Sequence, residues 1–208
     1  MGSRLRGNDR KNYMIKSVAV YCGNQFGKDP AYARDAARFG ELLARNKIKM
    51  VFGAGDVGLM GTVATAVVKN AGEIIGVTTP HVVALQEPAH EEVEVEIVEG
   101  INARKQRMYD LSDAFCILPG GIGTLNELTD VMTMQQVGET KKPIFFLNTS
   151  KFWNIFGRVL VHMDHAGFIA DMKEYGIRVA DTPEELIQLI TGRKDFVTAG
   201  TATDQFKM

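Results

Sequence analysis

Short apolar runs alternate along the chain with longer segments in which apolar residues recur about every three or four positions. Runs of about four to eight apolar residues between turn residues are typical of buried strands, and the longer repeat is typical of helices. Strands are therefore predicted at 17–22, 48–52, 73–78, 93–98, 113–118, 143–147 and 177–180. Helices are predicted at 30–45, between the loop 53–61 and residue 70, at 101–111, from 124 onward, at 152–166 and at 182–191, with an irregular segment at 80–90.

Strands that alternate with helices form a parallel sheet covered on both faces. The expected fold class is therefore α/β, a single doubly wound Rossmann-like sheet that binds ligands at the carboxyl ends of its strands. This domain is predicted to span 14–192, between a disordered leader at 1–13 and a flexible tail at 193–208. The leader is basic and polar without periodicity, and Met14 is a candidate for the natural start.

Composition argues against several classes of function. A formal net charge of -1 over 208 residues gives no general reason to bind nucleic acid or an anionic membrane. The apolar runs are far shorter than the roughly 20 residues that span a bilayer, and residues 1–13 lack the apolar segment of a signal peptide. Cys22 and Cys116 fall in predicted buried strands, so we expect reduced core thiols and a cytoplasmic location. No Cys or His pair has convincing metal-ligand spacing, and no metal or other cofactor is expected.

The stretch 113–138 carries the clearest functional pattern. An apolar strand leads into a loop rich in glycine, and a helical pattern begins at Thr124. Glycine lets backbone N–H groups approach a ligand closely, and the unpaired N–H groups of a helix N-terminus attract anions. The sequence therefore predicts a phosphate site formed by Gly120, Gly121, Gly123 and Thr124. The alternative is that the glycines only allow tight packing of the turn.

Glu127 lies about one helical turn after Thr124, on the same predicted helix face. Its carboxylate would repel a phosphate, so it is placed for a group about a sugar's length away. The alternative is that this carboxylate only complements the helix dipole.

A second glycine loop, GAGDVGLMG at 53–61, also follows a predicted strand. Gly53, Gly55 and Gly58 fit the G-x-G-x-x-G fingerprint of dinucleotide sites. That fingerprint also needs an acidic residue at the end of the next strand, and here Glu73 stands at the wrong end of it. A nicotinamide cofactor is therefore disfavoured, and a second loop that lines a mononucleotide pocket fits better.

With both loops and the basic helix placed, the chain resembles the LONELY GUY family of cytokinin riboside 5′-monophosphate phosphoribohydrolases, often labelled lysine decarboxylase-like. The resemblance covers nearly all of 17–189. The matching positions are the PGGxGTxxE signature from Pro119 to Glu127, the loop 53–61, Cys22, Gly23, Glu87, Arg104, Lys105, Met108 and Thr133.

The family reaction is hydrolysis of the N-glycosidic bond of a nucleoside 5′-monophosphate, which releases the base and ribose 5-phosphate. By resemblance, Glu127 stabilises the oxocarbenium-like transition state or steers water, and Arg104 holds substrate oxygens and keeps Glu127 ionised by lowering its pKa. Without the resemblance, Arg104, Lys105 and Arg107 would be assigned to a solvated helix face. The resemblance assigns substrate contacts to Gly23, Gly53, Gly55, Glu87, Lys105, Gly120, Gly121, Gly123, Thr124 and Thr133.

Departures from the family pattern leave the preferred base open. Ile101, Asn102 and Ala103 replace a common Met-His-Glu, and Met134 stands where a tryptophan usually follows the late threonine. Ala54 replaces the middle glycine of the second loop. The substrate is expected to be an adenosine 5′-monophosphate, plain or N6-substituted, in a salvage or a hormone-producing role.

Two other functions remain as alternatives. Molybdenum cofactor carrier proteins resemble this fold and use a glycine-loop phosphate site, so a non-catalytic nucleotide or cofactor carrier is the second. Amino-acid decarboxylation is a distant third, because that chemistry usually needs pyridoxal phosphate on a Schiff-base lysine, and no lysine here has a recognisable setting.

Two helices carry more apolar residues than one sheet face needs, which together with the resemblance predicts a homodimer with active sites near the subunit boundary. The alternative is that both helices are covered by their own sheet. The residues concerned are Met132, Met134, Val137, Gly138, Phe152, Trp153, Phe156, Val159, Leu160 and Met163. His162 and His165 on the second of these helices are expected at a surface or interface rather than at a metal.

Overall fold

The computed structural model describes residues 14–85, 93–169 and 175–193. Within them lies one sheet of seven parallel strands in the order β4-β3-β2-β1-β5-β6-β7. The strands are β1 (Ser17–Tyr21), β2 (Lys49–Phe52), β3 (Ile74–Thr78), β4 (Glu94–Ile97), β5 (Ala114–Ile117), β6 (Ile144–Leu147) and β7 (Ile177–Ala180). The α/β fold class and the parallel sheet are confirmed.

The helices pack on both faces of this sheet, as a doubly wound fold requires. They are α1 (Pro30–Arg45), α2 (Gly58–Lys69), α3 (Pro80–Leu85), α4 (Gly100–Asp110), α5 (Ile122–Gln136), α6 (Asn154–His165) and α7 (Pro183–Ile190), with a 3₁₀ turn at Thr149–Lys151. Helices α1, α2 and α7 contribute to one core layer, and α4, α5 and α6 contribute to the other. The chain reverses its direction of strand addition between β1 and β5, which is where ligands bind in such sheets.

Local sequence explains where several helices begin. The Asp29 side chain accepts a hydrogen bond from the backbone N–H of Ala31 at 2.9 Å and caps α1. Thr182 caps α7 in the same way, with its hydroxyl 3.2 Å from the backbone nitrogen of Glu185. Both caps precede a proline at the first helical position, where its missing N–H is not needed.

Three expectations are corrected by the structure. The segment 80–90 was expected to be irregular, but Pro80–Leu85 forms a short helix that begins with proline. Helix α5 begins at Ile122 rather than at Thr124, so Gly123 lies in its first turn rather than in the loop. Helix α2 begins at Gly58 and contains the end of the second glycine loop.

Several predictions fall outside the described residues. These are the leader at 1–13, the tail beyond Arg193 and Glu87. In the part of the chain that the structure describes, no helix is long and apolar enough to cross a membrane.

Candidate functional site

Three loops meet at the carboxyl ends of β1, β2 and β5, next to the reversal point of the sheet. The backbone N–H of Gly23 donates a hydrogen bond to the carbonyl of Pro119 at 3.0 Å. The carbonyl of Gly23 accepts one from the N–H of Met60 at 3.2 Å. The turn after β1 is thus held between the signature loop and the second glycine loop.

The N-terminus of α5 is open to a ligand. Its N-cap residue, Gly121, makes no side-chain cap, so N–H groups of the first turn keep their capacity to bind an anion. A Cβ atom at Gly120 would lie 2.2 Å from the hydroxyl oxygen of Thr124, so glycine is required there for packing. A Cβ at Gly121 or Gly123 would meet nothing within 4 Å. Those two glycines leave room at the helix end that the protein itself does not fill.

A cavity of about 570 Å³ lies in front of this helix end, and we call it the glycine-loop cavity. Val82 of α3 and Met60 of α2 contribute apolar walls to it. Val82 belongs to the segment that was expected to be irregular, so its contribution was missed from the sequence. The predicted site residues that line the cavity are Gly23, Arg104, Gly121, Gly123, Thr124 and Glu127.

Arg104 on α4 is buried, with 8% of its surface exposed. Its Nε donates to the carbonyl of Val77 and its Nη2 donates to the carbonyl of Gly53, both at 2.9 Å. A Cβ at Gly53 would lie 1.9 Å from Nη2, so the guanidinium can occupy this position only because residue 53 is glycine. The interpretation of Arg104 as part of a solvated helix face is therefore wrong.

Glu127 on α5 lines the same cavity as Arg104, close enough for the two charges to interact. Burial raises the pKa of its carboxyl group from 4.5 to about 7, and Asp130 contributes to the increase. Arg104 and Lys105 oppose that increase, since each favours the charged form. The expectation that Arg104 keeps this pKa low is corrected: the arginine acts in the expected direction, but loss of solvation outweighs it.

A second cavity of about 340 Å³ begins on the other side of Glu127, and we call it the tyrosine cavity. Glu127 is the residue that the two cavities share. The polar and apolar residues around the second cavity are Tyr21, Asn102, Lys105, Gln106, Tyr109, Asp130, Val131, Thr133 and Met134.

Lys105 and Thr133 both line the tyrosine cavity and are already engaged within the protein. Lys105 forms an ion pair with Asp130 at 2.5 Å and donates to Asn126 at 3.1 Å. The hydroxyl of Thr133 donates to the carbonyl of Thr129 at 2.8 Å. The two residues lie apart from the residues at the helix end that form the glycine-loop cavity.

Two further predicted site residues, Gly53 and Gly55, line neither cavity. Gly53 supports Arg104, and Gly55 is buried in the same loop. Cys22 lines the glycine-loop cavity, and burial together with the nearby Glu127 raises the pKa of its thiol far above the usual range. Such a thiol is not a nucleophile. Among the described residues no group of His, Cys, Asp and Glu is arranged to hold a metal ion.

The chain matches the family model described as possible lysine decarboxylase over residues 60–190. It is 37% identical to a cytokinin riboside 5′-monophosphate phosphoribohydrolase of Rhodococcoides fascians, over 74% of this chain and 78% of that one. It is 36% identical to the cytokinin riboside 5′-monophosphate phosphoribohydrolase LOG of Oryza sativa subsp. japonica, over 83% and 72% of the two chains.

Solved structures also share the fold. The molybdenum cofactor binding protein of Rippkaea orientalis superimposes with a TM-score of 0.63, over 85% of this chain and 96% of that one. Its sequence identity is 20%, so this likeness shows the architecture and nothing about the ligand.

Proposed function

Because this chain belongs to the cytokinin riboside 5′-monophosphate phosphoribohydrolase family, a family of hydrolases, we propose that it hydrolyses adenosine 5′-monophosphates, plain or N6-substituted. The bond broken is the N-glycosidic bond, and the products are the free base and ribose 5-phosphate. One observation carries this proposal: Glu127 lies between two cavities, about one helical turn from the open N-terminus of α5.

The phosphate occupies the glycine-loop cavity, where N–H groups of α5 and the helix dipole favour an anion. The base occupies the tyrosine cavity, and the ribose lies between them beside Glu127. This arrangement puts the carboxylate near C1′, where positive charge develops as the bond to the base breaks.

Glu127 has the properties of a general base for this step. A pKa of about 7 leaves a substantial ionised fraction at neutral pH and makes the carboxylate basic enough to take a proton from water. Arg104 limits how far that pKa rises, and its guanidinium lines the cavity that receives the ribose phosphate. Its bonds to Val77 and Gly53 hold it in place before the substrate arrives.

The decarboxylase alternative finds little support at this site. Such chemistry uses a lysine amine as a Schiff base. Among the described residues that line the two cavities, the one lysine is Lys105, and its amine is paired with Asp130 and Asn126. A carrier function would leave the position of Glu127 between the two cavities without a purpose.

The proposal is tested by product analysis. Purified protein is incubated with AMP, N6-isopentenyl-AMP, GMP, CMP and adenosine, and free base and ribose 5-phosphate are quantified. We expect base release from the adenosine 5′-monophosphates and hardly any from adenosine, because the phosphate site supplies binding energy away from the broken bond. Equal cleavage of AMP and adenosine would contradict the phosphate assignment, and no base release from any substrate would contradict the activity.

We also propose that the enzyme acts as a homodimer in the cytoplasm. Part of the apolar set behind this prediction belongs to the monomer core: Met132, Trp153 and Leu160 are buried. The apolar side chains exposed on or next to these helices include Val137, Phe152, Ile155, Val159, Met163 and Phe168. Val137 follows the residues of α5 that line the tyrosine cavity, so a second copy on this surface would lie close to the base.

Light scattering at micromolar concentration tests this assembly. A mass of about twice the 22.9 kDa chain is expected. An active species of the single-chain mass would contradict the dimer.

A further inference from the structure

Tyr21 is the last residue of β1, and its side chain lies in the core with 2% of its surface exposed. Its ring stacks on Phe115, with centroids 5.9 Å apart and planes 22° apart. Phe115 stacks in turn on Tyr109, at 5.8 Å and 20°. Because Tyr21 also lines the tyrosine cavity together with Glu127, the little surface that it exposes faces that cavity.

The other polar groups around this cavity are more exposed, and the nearest to the junction are engaged. Lys105 is paired with Asp130, and Thr133 donates to the backbone of Thr129. The hydroxyl of Tyr21, by contrast, makes no hydrogen bond with the residues that the structure describes. Among the described residues the buried side-chain atoms without a partner are Gln135 Oε1 and Trp153 Nε1, so the unbonded Tyr21 hydroxyl is not sealed in the core. It reaches the cavity and can donate a hydrogen bond to a ligand there.

The charges around Tyr21 keep its proton in place. Burial raises the pKa of this phenol well above its usual range, and Glu127 and Asp130 raise it further, against the opposing effect of Arg104. A phenol that remains protonated is a hydrogen-bond donor at any pH at which the enzyme works. The same interactions put Tyr21 close to Glu127 and Arg104, at the junction of the two cavities.

We propose that Tyr21 is a further catalytic residue, whose hydroxyl donates a hydrogen bond to a ring nitrogen of the departing base. This assignment rests on the proposed function, which puts the base in the tyrosine cavity. When the bond from C1′ to nitrogen breaks, its electron pair stays on the base and charge spreads over the ring nitrogens. Water adds to C1′ and gives a proton to Glu127, and the base takes up that proton as it leaves. The Tyr21 hydroxyl stabilises the charge that the base carries in between.

The test compares two leaving groups in one preparation of protein. Wild type and Tyr21→Phe are assayed with AMP and with 4-nitrophenyl ribofuranoside 5-phosphate, whose nitrophenolate leaves without help from a hydrogen-bond donor and has no ring nitrogen. We expect kcat for AMP to fall by about tenfold or more in the variant, while kcat for the nitrophenyl substrate stays within about twofold. Phe keeps the ring and its stacking, and the ratio of the two rates does not depend on the folded fraction.

Tyr32→Phe is the matched control, because this phenol on α1 packs against Phe152 and lines neither of the two cavities. The ratio of the two rates should be that of wild type. A Tyr21→Phe ratio equal to that of wild type overturns the assignment, whether both rates fall together or neither falls. A wild-type protein that releases neither adenine nor nitrophenol instead contradicts the proposed function itself.

Discussion

The two glycine loops of this protein look alike in sequence and use glycine for different reasons. In the signature loop, a Cβ at Gly121 or Gly123 would meet no atom of the protein within 4 Å. In the second loop, a Cβ at Gly53 would lie 1.9 Å from Arg104, and one at Gly61 would lie 1.8 Å from the carbonyl oxygen of Asp56. The first loop therefore leaves space for a ligand at Gly121 and Gly123, although Gly120 is needed for packing. The second loop uses Gly53 and Gly61 to bring parts of the protein together.

This difference gives a packing reason for the dinucleotide fingerprint in the second loop, which was disfavoured because the acidic residue of such sites is missing from the end of the next strand. The pattern G-x-G-x-x-G shows only that three positions have no side chain. Glycine is needed at such a position when a Cβ would clash with a bound pyrophosphate, and equally when it would clash with an arginine of the protein. What the second loop contributes to the site is the position of Arg104, held by the carbonyl of Gly53 at 2.9 Å.

The largest effect should come from filling the packed loop. Gly53→Ala forces the guanidinium of Arg104 to move, because the new Cβ would overlap Nη2. We expect kcat for AMP to fall by roughly 100-fold, as misplacement of a catalytic group by about 1 Å can do. Steady-state kinetics measures the fall, and thermal unfolding should show lower stability as well. Activity close to wild type would mean that the position of Arg104 is unimportant.

Gly123→Ala fills the open loop and should separate binding from stability. The residue lies in the first turn of α5, where alanine is favoured over glycine by up to about 1 kcal/mol. We therefore expect thermal stability to stay equal or rise, while KM for AMP rises roughly tenfold, about 1.4 kcal/mol, because the methyl group intrudes on the phosphate. A loss of stability with KM unchanged would show that Gly123 is needed for packing rather than for ligand binding, which would contradict the difference drawn between the two loops.

The pH profile tests the environment that the loops create around Glu127. Since burial raises its pKa to about 7, kcat/KM should fall about tenfold for each pH unit below that value as the base becomes protonated. The same shift means that this group favours folding below its ordinary value of 4.5, and that this contribution is lost as the pH rises through about 7. An acid limb near 4.5 would indicate a solvated carboxylate.

The smallest effect concerns Ala54, the one residue of the second loop that departs from the family's glycines. Its φ of 61° lies in the left-handed region, which costs a residue with a Cβ roughly 1–2 kcal/mol. The Ala54 Cβ packs against Gly76, so Ala54→Gly should stabilise the protein by only about 1 kcal/mol or less. Denaturant unfolding measures the gain. A loss of more than about 1 kcal/mol would show that the Cβ contact outweighs the strain.

The sequence predicted the parallel sheet, its strand positions and the open helix end, because each depends on local patterns of apolar residues and glycine. It also indicated Glu127 by its spacing from Thr124. The direction of the Glu127 pKa shift could not be predicted, since burial by α4, β1 and α5 is a property of their packing. Pro80–Leu85 was missed because six residues are too short to show a helical repeat.

Tyr21 illustrates a different limit of prediction. An aromatic residue at the end of a strand has the pattern of an ordinary core residue, and its ring does pack on Phe115. Its hydroxyl becomes noticeable only when the cavity and the position of Glu127 are known. The one available signal was its place just before Cys22 and Gly23, at the carboxyl end of the strand next to the reversal of the sheet.

The central claim is that the Glu127 carboxylate acts on a nucleotide whose phosphate occupies the glycine-loop cavity and whose base occupies the tyrosine cavity. It is tested most directly by Glu127→Gln, with release of adenine from AMP and the affinity for AMP measured on the same protein. We predict that turnover falls by roughly 100-fold or more, because the charge is needed only as the oxocarbenium forms, while AMP still binds through the N-terminus of α5. Turnover close to that of wild type, with binding intact, would contradict the account.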